Sequence, residues 1–175
     1  MKILALAASN NKQSINKKLV TYAGSLIDGA EVEVLDINDY EMPIYSVDRE
    51  EENGIPDLAH AFYKKIGDAD ALIISYAEHN GSFTAAYKNL YDWTSRIDMK
   101  VYQGKPMLML AASPGPGGGA NVLASAKTSA PYFGGEVVAA LSFPSFHNHF
   151  DVQVGELTDS ELQSQLLEGV RKLTS

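Results

Sequence analysis

Apolar residues follow two rhythms along this chain, and the two alternate. Ile3 to Ala8, Met107 to Ala112 and most of Ala69 to Tyr76 are apolar runs with no polar alternation. Such runs predict short strands buried on both faces, as in a parallel sheet. Glu136 to Leu141 reads as a further strand, while Glu31 to Ile37 (EVEVLDI) alternates and predicts a more exposed strand towards a sheet edge. Between these runs the spacing changes to three and four. Leu19, Val20, Ala23, Leu26 and Ile27 predict a helix capped by Ser14 and stopped at Asp28-Gly29. Leu58, Ala61, Phe62 and Ile66 predict one over 57–67, and Phe83, Ala86, Tyr87, Leu90 and Trp93 one over 82–96. A helix from Ala120 to about Ala130 follows, and a last one is predicted behind Thr158, with Glu161 completing a capping box. Residues 38–56 and 142–154 show little periodicity. The first reads as a long loop carrying the acidic triplet Glu50-Glu51-Glu52 on a solvated surface.

Strands alternating with helices imply an α/β domain with one doubly wound, five-stranded parallel sheet over residues 1–175. Five strands favour the order 2-1-3-4-5, the flavodoxin-like arrangement, in which ligands bind at the carboxyl ends of the strands where the winding reverses. Three polar or glycine-rich loops follow the first, third and fourth strands: Ser9 to Asn16, Ala77 to Ser82, and Ser113 to Gly119. That order sets all three on one rim.

The first loop offers the hydroxyls of Ser9 and Ser14, the amides of Asn11 and Asn16, and backbone N–H groups through Ile15 into a helix start. Such a set suits an anion such as a terminal phosphate, although the same residue types also serve ordinary capping. It is neither a Walker loop nor a GxGxxG loop. In the second loop, Gly81 suits a positive φ or a close backbone approach, and Ala77, Glu78, His79 and Asn80 could address the edge and face of a planar heterocycle. Nothing pairs with Glu78 as an acid or base, so no catalytic side chain is assigned. In the third loop, Ser113, Pro114, Gly115 and the following glycines permit a close pass over a ligand ring. His147 and His149, two apart without a supporting carboxylate, do not suggest a metal site. Tyr87, Tyr91 and Trp93 read as core or subunit contact. No serine lies in a nucleophile elbow.

Composition narrows the partners. With 22 acidic against 14 basic residues the net charge is −8, which repels nucleic acid and leaves any phosphate to local donors. The absence of cysteine removes thiol chemistry and disulfides and fits the cytoplasm. The first apolar run is too short for a signal peptide or a membrane span.

The three loops together resemble the NADPH-dependent FMN reductase family, the flavodoxin-like quinone, azo-dye and chromate reductases. Ala8-Ser9-Asn10-Asn11-Lys12-Gln13-Ser14-Ile15-Asn16 is similar to that family's GSxRxxSxN. Ala77-Glu78-His79-Asn80-Gly81-Ser82 followed by Lys88-Asn89 and Asp92-Trp93 resembles PEYNGS and LKNxxDW. The resemblance implies FMN as cofactor and NAD(P)H as co-substrate, with electrons passed to a quinone, an azo compound, a flavin or a similar small acceptor. It implies a homodimer or homotetramer, for which the 82–96 helix is the candidate interface. Ser9, Asn11, Ser14 and Asn16 would hold the FMN phosphate. Glu78, His79, Asn80 and Gly81 would line the ring, and Ser113 to Gly115 its far side. Asn11 stands where the family has Arg, Ala8 where it has Gly, and Ala77 with His79 where it has Pro and Tyr. Loss of a charge-assisted bond of about 1.5–3 kcal/mol implies FMN held roughly ten- to a hundred-fold more loosely. The same departure leaves open a non-catalytic electron carrier, or a degenerate module that binds little or no FMN.

Overall fold

The structure, a computed structural model, describes residues 1–175 throughout. Five strands, β1 (Lys2–Ala8), β2 (Glu31–Leu35), β3 (Ala71–Tyr76), β4 (Pro106–Ala112) and β5 (Glu136–Phe143), form one sheet. Every pair is parallel and the order is β2-β1-β3-β4-β5, the flavodoxin-like arrangement the rhythm predicts. Six helices of seven residues or more flank it: α1 (Ile15–Ser25), α2 (Val47–Asn53), α3 (Asp57–Asp68), α4 (Ala85–Thr94), α5 (Ala120–Ser129) and α6 (Ser160–Leu173).

Strand side chains alternate between the two faces, so each central strand feeds two cores. Ile3, Ala5, Ile73, Leu108 and Leu110 pack with Leu19 and Val20 of α1 and Leu166 and Val170 of α6. Leu4, Leu6, Leu72, Ile74 and Met109 pack on the other face with Phe62 and Ile66 of α3, Leu90 and Trp93 of α4 and Val122 of α5. Burying each such large apolar side chain contributes about 1.5–3 kcal/mol before entropy is charged. The double burial explains the unbroken apolar runs, and edge strand β2, largely exposed, explains the alternating one.

Several boundaries differ from the sequence expectation, because local hydrogen bonding by capping side chains or a hairpin outcompetes periodicity. β2 ends at Leu35, because the Asp36 carboxylate accepts the Asn38 N–H and starts a 3-10 turn over Ile37–Tyr40. The acidic triplet lies on a helix, α2, capped by Ser46 and ended by Gly54 at φ 74°. α4 starts at Ala85, not Ser82, because Ser82 and Phe83 pair back onto His79 and Glu78 as a hairpin, and Thr84 then caps the helix. The last helix is capped by Asp159, whose carboxylate accepts from the Glu161 and Leu162 N–H groups at 3.0 Å each; Thr158 plays no such part. The fifth strand also runs two residues longer, to Phe143.

The stretch Met42–Tyr45 is bolted to α4. Asn89 Nδ2 donates to the carbonyls of Met42 and Pro43 at 3.1 Å, Asn89 Oδ1 accepts the Tyr45 N–H at 2.8 Å, and Trp93 Nε1 donates to the Pro43 carbonyl at 2.7 Å. Beneath α4, burial raises the tyrosine hydroxyls of Tyr76, Tyr87, Tyr91 and Tyr102 above their ordinary range. Tyr87 and Trp93 lie in the core and Tyr91 is half-buried, as their helical stripe suggests. No helix is long and apolar enough to cross a membrane.

Candidate functional site

The three loops leave the carboxyl ends of β1, β3 and β4, and side chains sew them together. Asn16, in the first turn of α1, is buried; its Oδ1 accepts the Ala112 N–H at 2.9 Å and its Nδ2 donates to the Ala112 carbonyl at 3.2 Å. The same Oδ1 accepts the Ser75 hydroxyl at 2.7 Å, so one amide joins α1 to β3 and β4. Thr84 Oγ1 donates to the Ala8 carbonyl at 3.0 Å, fixing the second loop on the end of β1. The Glu78 carboxylate accepts the Val122 N–H at 2.8 Å and the Asn121 amide at 3.3 Å, fixing the second loop on the start of α5. Behind the third loop, Ser142 Oγ donates to the Gly118 carbonyl at 2.9 Å and the Ser145 N–H to the Gly115 carbonyl at 2.8 Å. Buried polar bridges of this kind are satisfied only in one arrangement, so they hold the rim in register.

The Ser9 hydroxyl accepts the Asn11 N–H at 3.2 Å, Asn11 Oδ1 the Gln13 N–H at 2.9 Å, and Ser14 Oγ the Lys17 N–H at 3.2 Å. Ser9 and Ser14 are almost enclosed, Ile15 is half-buried and Asn11 is exposed. The N–H groups of Lys12, Ile15 and Asn16 meet no protein acceptor. They surround a helix start with no acidic residue in its first turn. The helices that start at this rim, α1, α4 and α5, all lack an acid there, whereas α2, α3 and α6 carry one or more. At α5 the Glu78 carboxylate meets the Val122 N–H, so it is α1, whose first-turn N–H groups meet no carboxylate, that leaves the positive end of its dipole free for an anion. Asn16 is the exception among the first-loop candidates: its side chain is taken up by Ala112 and Ser75, leaving its backbone N–H as its free donor.

In the second loop Asn80 (φ 51°) and Gly81 (φ 74°) are both left-handed, a type I′ hairpin turn. His79, Asn80 and Gly81 are exposed; Ala77 and Glu78 are half-buried, and the carboxylate of Glu78 faces α5. In the third loop Ser113 Oγ turns inward to the Gly115 carbonyl at 2.9 Å, and Pro114 is exposed. A Cβ on Gly119 would stand 2.9 Å from the Ala111 Cβ, so that glycine is required by packing. Gly81, Gly115 and Gly117 instead present bare backbone to open space. Two open, side-chain-free backbone surfaces beside a pocket of unpaired N–H groups suit a flat ring with a phosphate tail. The donors fit FMN by chemistry, with one element weak: no guanidinium is present, and Lys17 is engaged by Asp36 at 2.6 Å. Of the two histidines singled out further on, His149 lies 3.2 Å from Asp159, and the exposed His147 follows Phe146, whose N–H donates to the Ser113 carbonyl of the third loop at 3.0 Å.

Sequence reasoning missed Ser75, Thr84, Asn121 and Ser142. Thr84 had a signal, a threonine immediately before a helical stripe. The others act through partners distant in sequence.

The sequence profile of the family described as NADPH-dependent FMN reductase matches residues 1–148. The chain belongs to that family. Individual relatives agree with that membership. The chain is 35% identical over 123 residues to an NAD(P)H:quinone oxidoreductase of Solanum tuberosum, covering 68% of this chain and 62% of that one. It is 31% identical over 121 residues to a quinone reductase of Escherichia coli (strain K12), covering 68% and 64%. The match thus spans less than two thirds of these curated relatives' own length. Among solved structures, FerB, a flavoenzyme NAD(P)H:(acceptor) oxidoreductase from Paracoccus denitrificans, superposes with a TM-score of 0.81 at 25% identity, over 98% of this chain and 94% of that one.

Proposed function

We propose that this FMN reductase takes hydride from NAD(P)H through a bound FMN and passes the electrons to a quinone, with azo compounds or free flavin as further acceptors. The observation that carries the reading is the sewing together of three separately encoded loops around one anion-ready helix start. The Ser9 and Ser14 hydroxyls and the N–H groups of Lys12, Ile15 and Asn16 hold the phosphate. Ala77 to Gly81 and Ser113 to Gly115 flank the ring, with His79 against its open side. When bound, FMN supplies the two-electron chemistry, and no side chain need supply a proton. The protein's contribution is geometry: Asn16, Thr84 and Glu78 keep the three walls at fixed separation. The quinone reductases among its relatives support the acceptor class.

We infer one cytoplasmic domain, assembled as a homodimer or homotetramer through the exposed side of α4. The cysteine-free composition supports the compartment. Exposed Met99 and Tyr132 beside α4 support the contact.

Titration of FMN with the purified protein, followed by flavin fluorescence, tests the site, and steady-state NADPH oxidation with a benzoquinone tests the activity. The reading expects one FMN per chain and quinone-dependent turnover. Saturable FMN binding without turnover would instead support an electron carrier. No FMN binding would overturn the assignment of the loops.

A further inference from the structure

A second cavity shares a wall with the first loop. It holds about 390 Å3 between the outer side of α1 and the connection 150–157, where Phe150–Asp151 pairs with Glu156–Leu157. Lys12, Lys17 and Lys18 line it and no acidic residue does. In a chain with 22 acids against 14 bases, three lysines without a carboxylate are an uncommon concentration of charge. Lys17 is tied to Asp36, but Lys12 and Lys18 make no ion pair. The other side of the cavity is aromatic and aliphatic. Tyr22 and Phe150 meet edge to face at 6.0 Å, and Val152 and Val154, 44% and 66% exposed, stand at the rim. Free cations on one wall and apolar surface on the other suit a phosphate attached to a flat, partly apolar base.

We propose that this cavity receives the 2′-phosphorylated adenosine end of NADPH and makes the enzyme prefer NADPH to NADH. The inference rests on the function proposed above. That function requires a dinucleotide whose nicotinamide reaches the flavin, while its adenosine end, which takes no part in the chemistry, needs a resting place nearby. NADPH and NADH differ only in the 2′-phosphate, a dianion at neutral pH, and Lys18 with Lys12 is the uncommitted positive charge bordering the first loop. The attraction is partly solvated and weakens with salt.

Lys18 is the residue to reverse, because Lys12 also borders the flavin-phosphate loop. Calorimetric titration of the FMN-loaded protein with adenosine 2′,5′-bisphosphate and with 5′-AMP reads the cavity without any turnover. The expected result is at least tenfold tighter binding of the bisphosphate, reduced to that of 5′-AMP in Lys18→Glu and weakened by added salt in the wild type. In steady-state kinetics Lys18→Glu raises the KM for NADPH at least tenfold and that for NADH less than twofold. Equal binding of the two nucleotides, or parallel losses with both coenzymes, would overturn the proposal. A wild-type protein that oxidises neither coenzyme would overturn the oxidoreductase reading instead, while the nucleotide titration still reports on the cavity.

Discussion

On the proposed reading, single residues decide how firmly the rim would hold FMN. In the proposed site Asn11 stands where the resemblance puts a guanidinium beside the phosphate, and its side chain accepts the Gln13 N–H instead. Restoring the cation with Asn11→Arg adds a charge-assisted bond of about 1.5–3 kcal/mol, so FMN affinity should rise roughly ten- to a hundred-fold by fluorescence titration. An unchanged affinity would mean that the phosphate lies elsewhere. Asn16 plays the opposite part. Its amide touches two strands and, by its hydrogen bonds, is a positioning residue. Asn16→Leu would leave the Ala112 N–H, its carbonyl and the Ser75 hydroxyl unpaired in the interior. A cost of about 2–4 kcal/mol follows, measurable by urea unfolding, together with weakened FMN binding. Sequence alone could mark Asn16 as a site residue but not tell ligand from strut, because its partners lie 59 and 96 positions away.

At the scale of elements, α4 ties the site to the rest of the surface. Its Asn89 and Trp93 hold the Met42–Tyr45 stretch by four hydrogen bonds, and Tyr45 meets Trp93 edge to face at 5.0 Å. This gives a physical role to Asn89 and Trp93, two positions that the sequence could only match to a pattern. Asn89→Ala would release the stretch, and amide hydrogen exchange should speed up at Tyr45 while the β1 and β3 strands stay protected. Strands and their order were legible because burial on both faces leaves an unbroken apolar run. α2 was not, since none of its residues is buried and only Ser46 and Gly54 mark its ends. The start of α4 was misjudged because Phe83 continues the helical stripe while its backbone belongs to the Asn80-Gly81 hairpin.

For the whole molecule, the Lys17–Asp36 ion pair ties part of the stability to pH. The Lys17 ammonium beside Asp36, followed by the Asn38 N–H, holds the Asp36 carboxyl down at about 2 from an ordinary 3.8. Because the folded value lies below the unfolded one, the stabilisation is present above about pH 4 and lost as the pH falls from there towards 2. The pair is about a third exposed, so solvent screening limits it to about 1 kcal/mol or less. Asp36→Asn, which keeps the turn-capping oxygen, should be less stable than wild type by that amount at pH 6 and equal to it near pH 2 in urea unfolding. A gap that persists at low pH would assign the effect to something other than the ion pair.

One measurement bears on the whole reading: anaerobic rapid mixing of NADPH with the protein carrying one equivalent of FMN, followed at the flavin absorbance band. If the three loops place the ring open to a nicotinamide, the band bleaches in a single saturable phase far faster than with free FMN. Bleaching no faster than with free FMN would contradict the account at its centre.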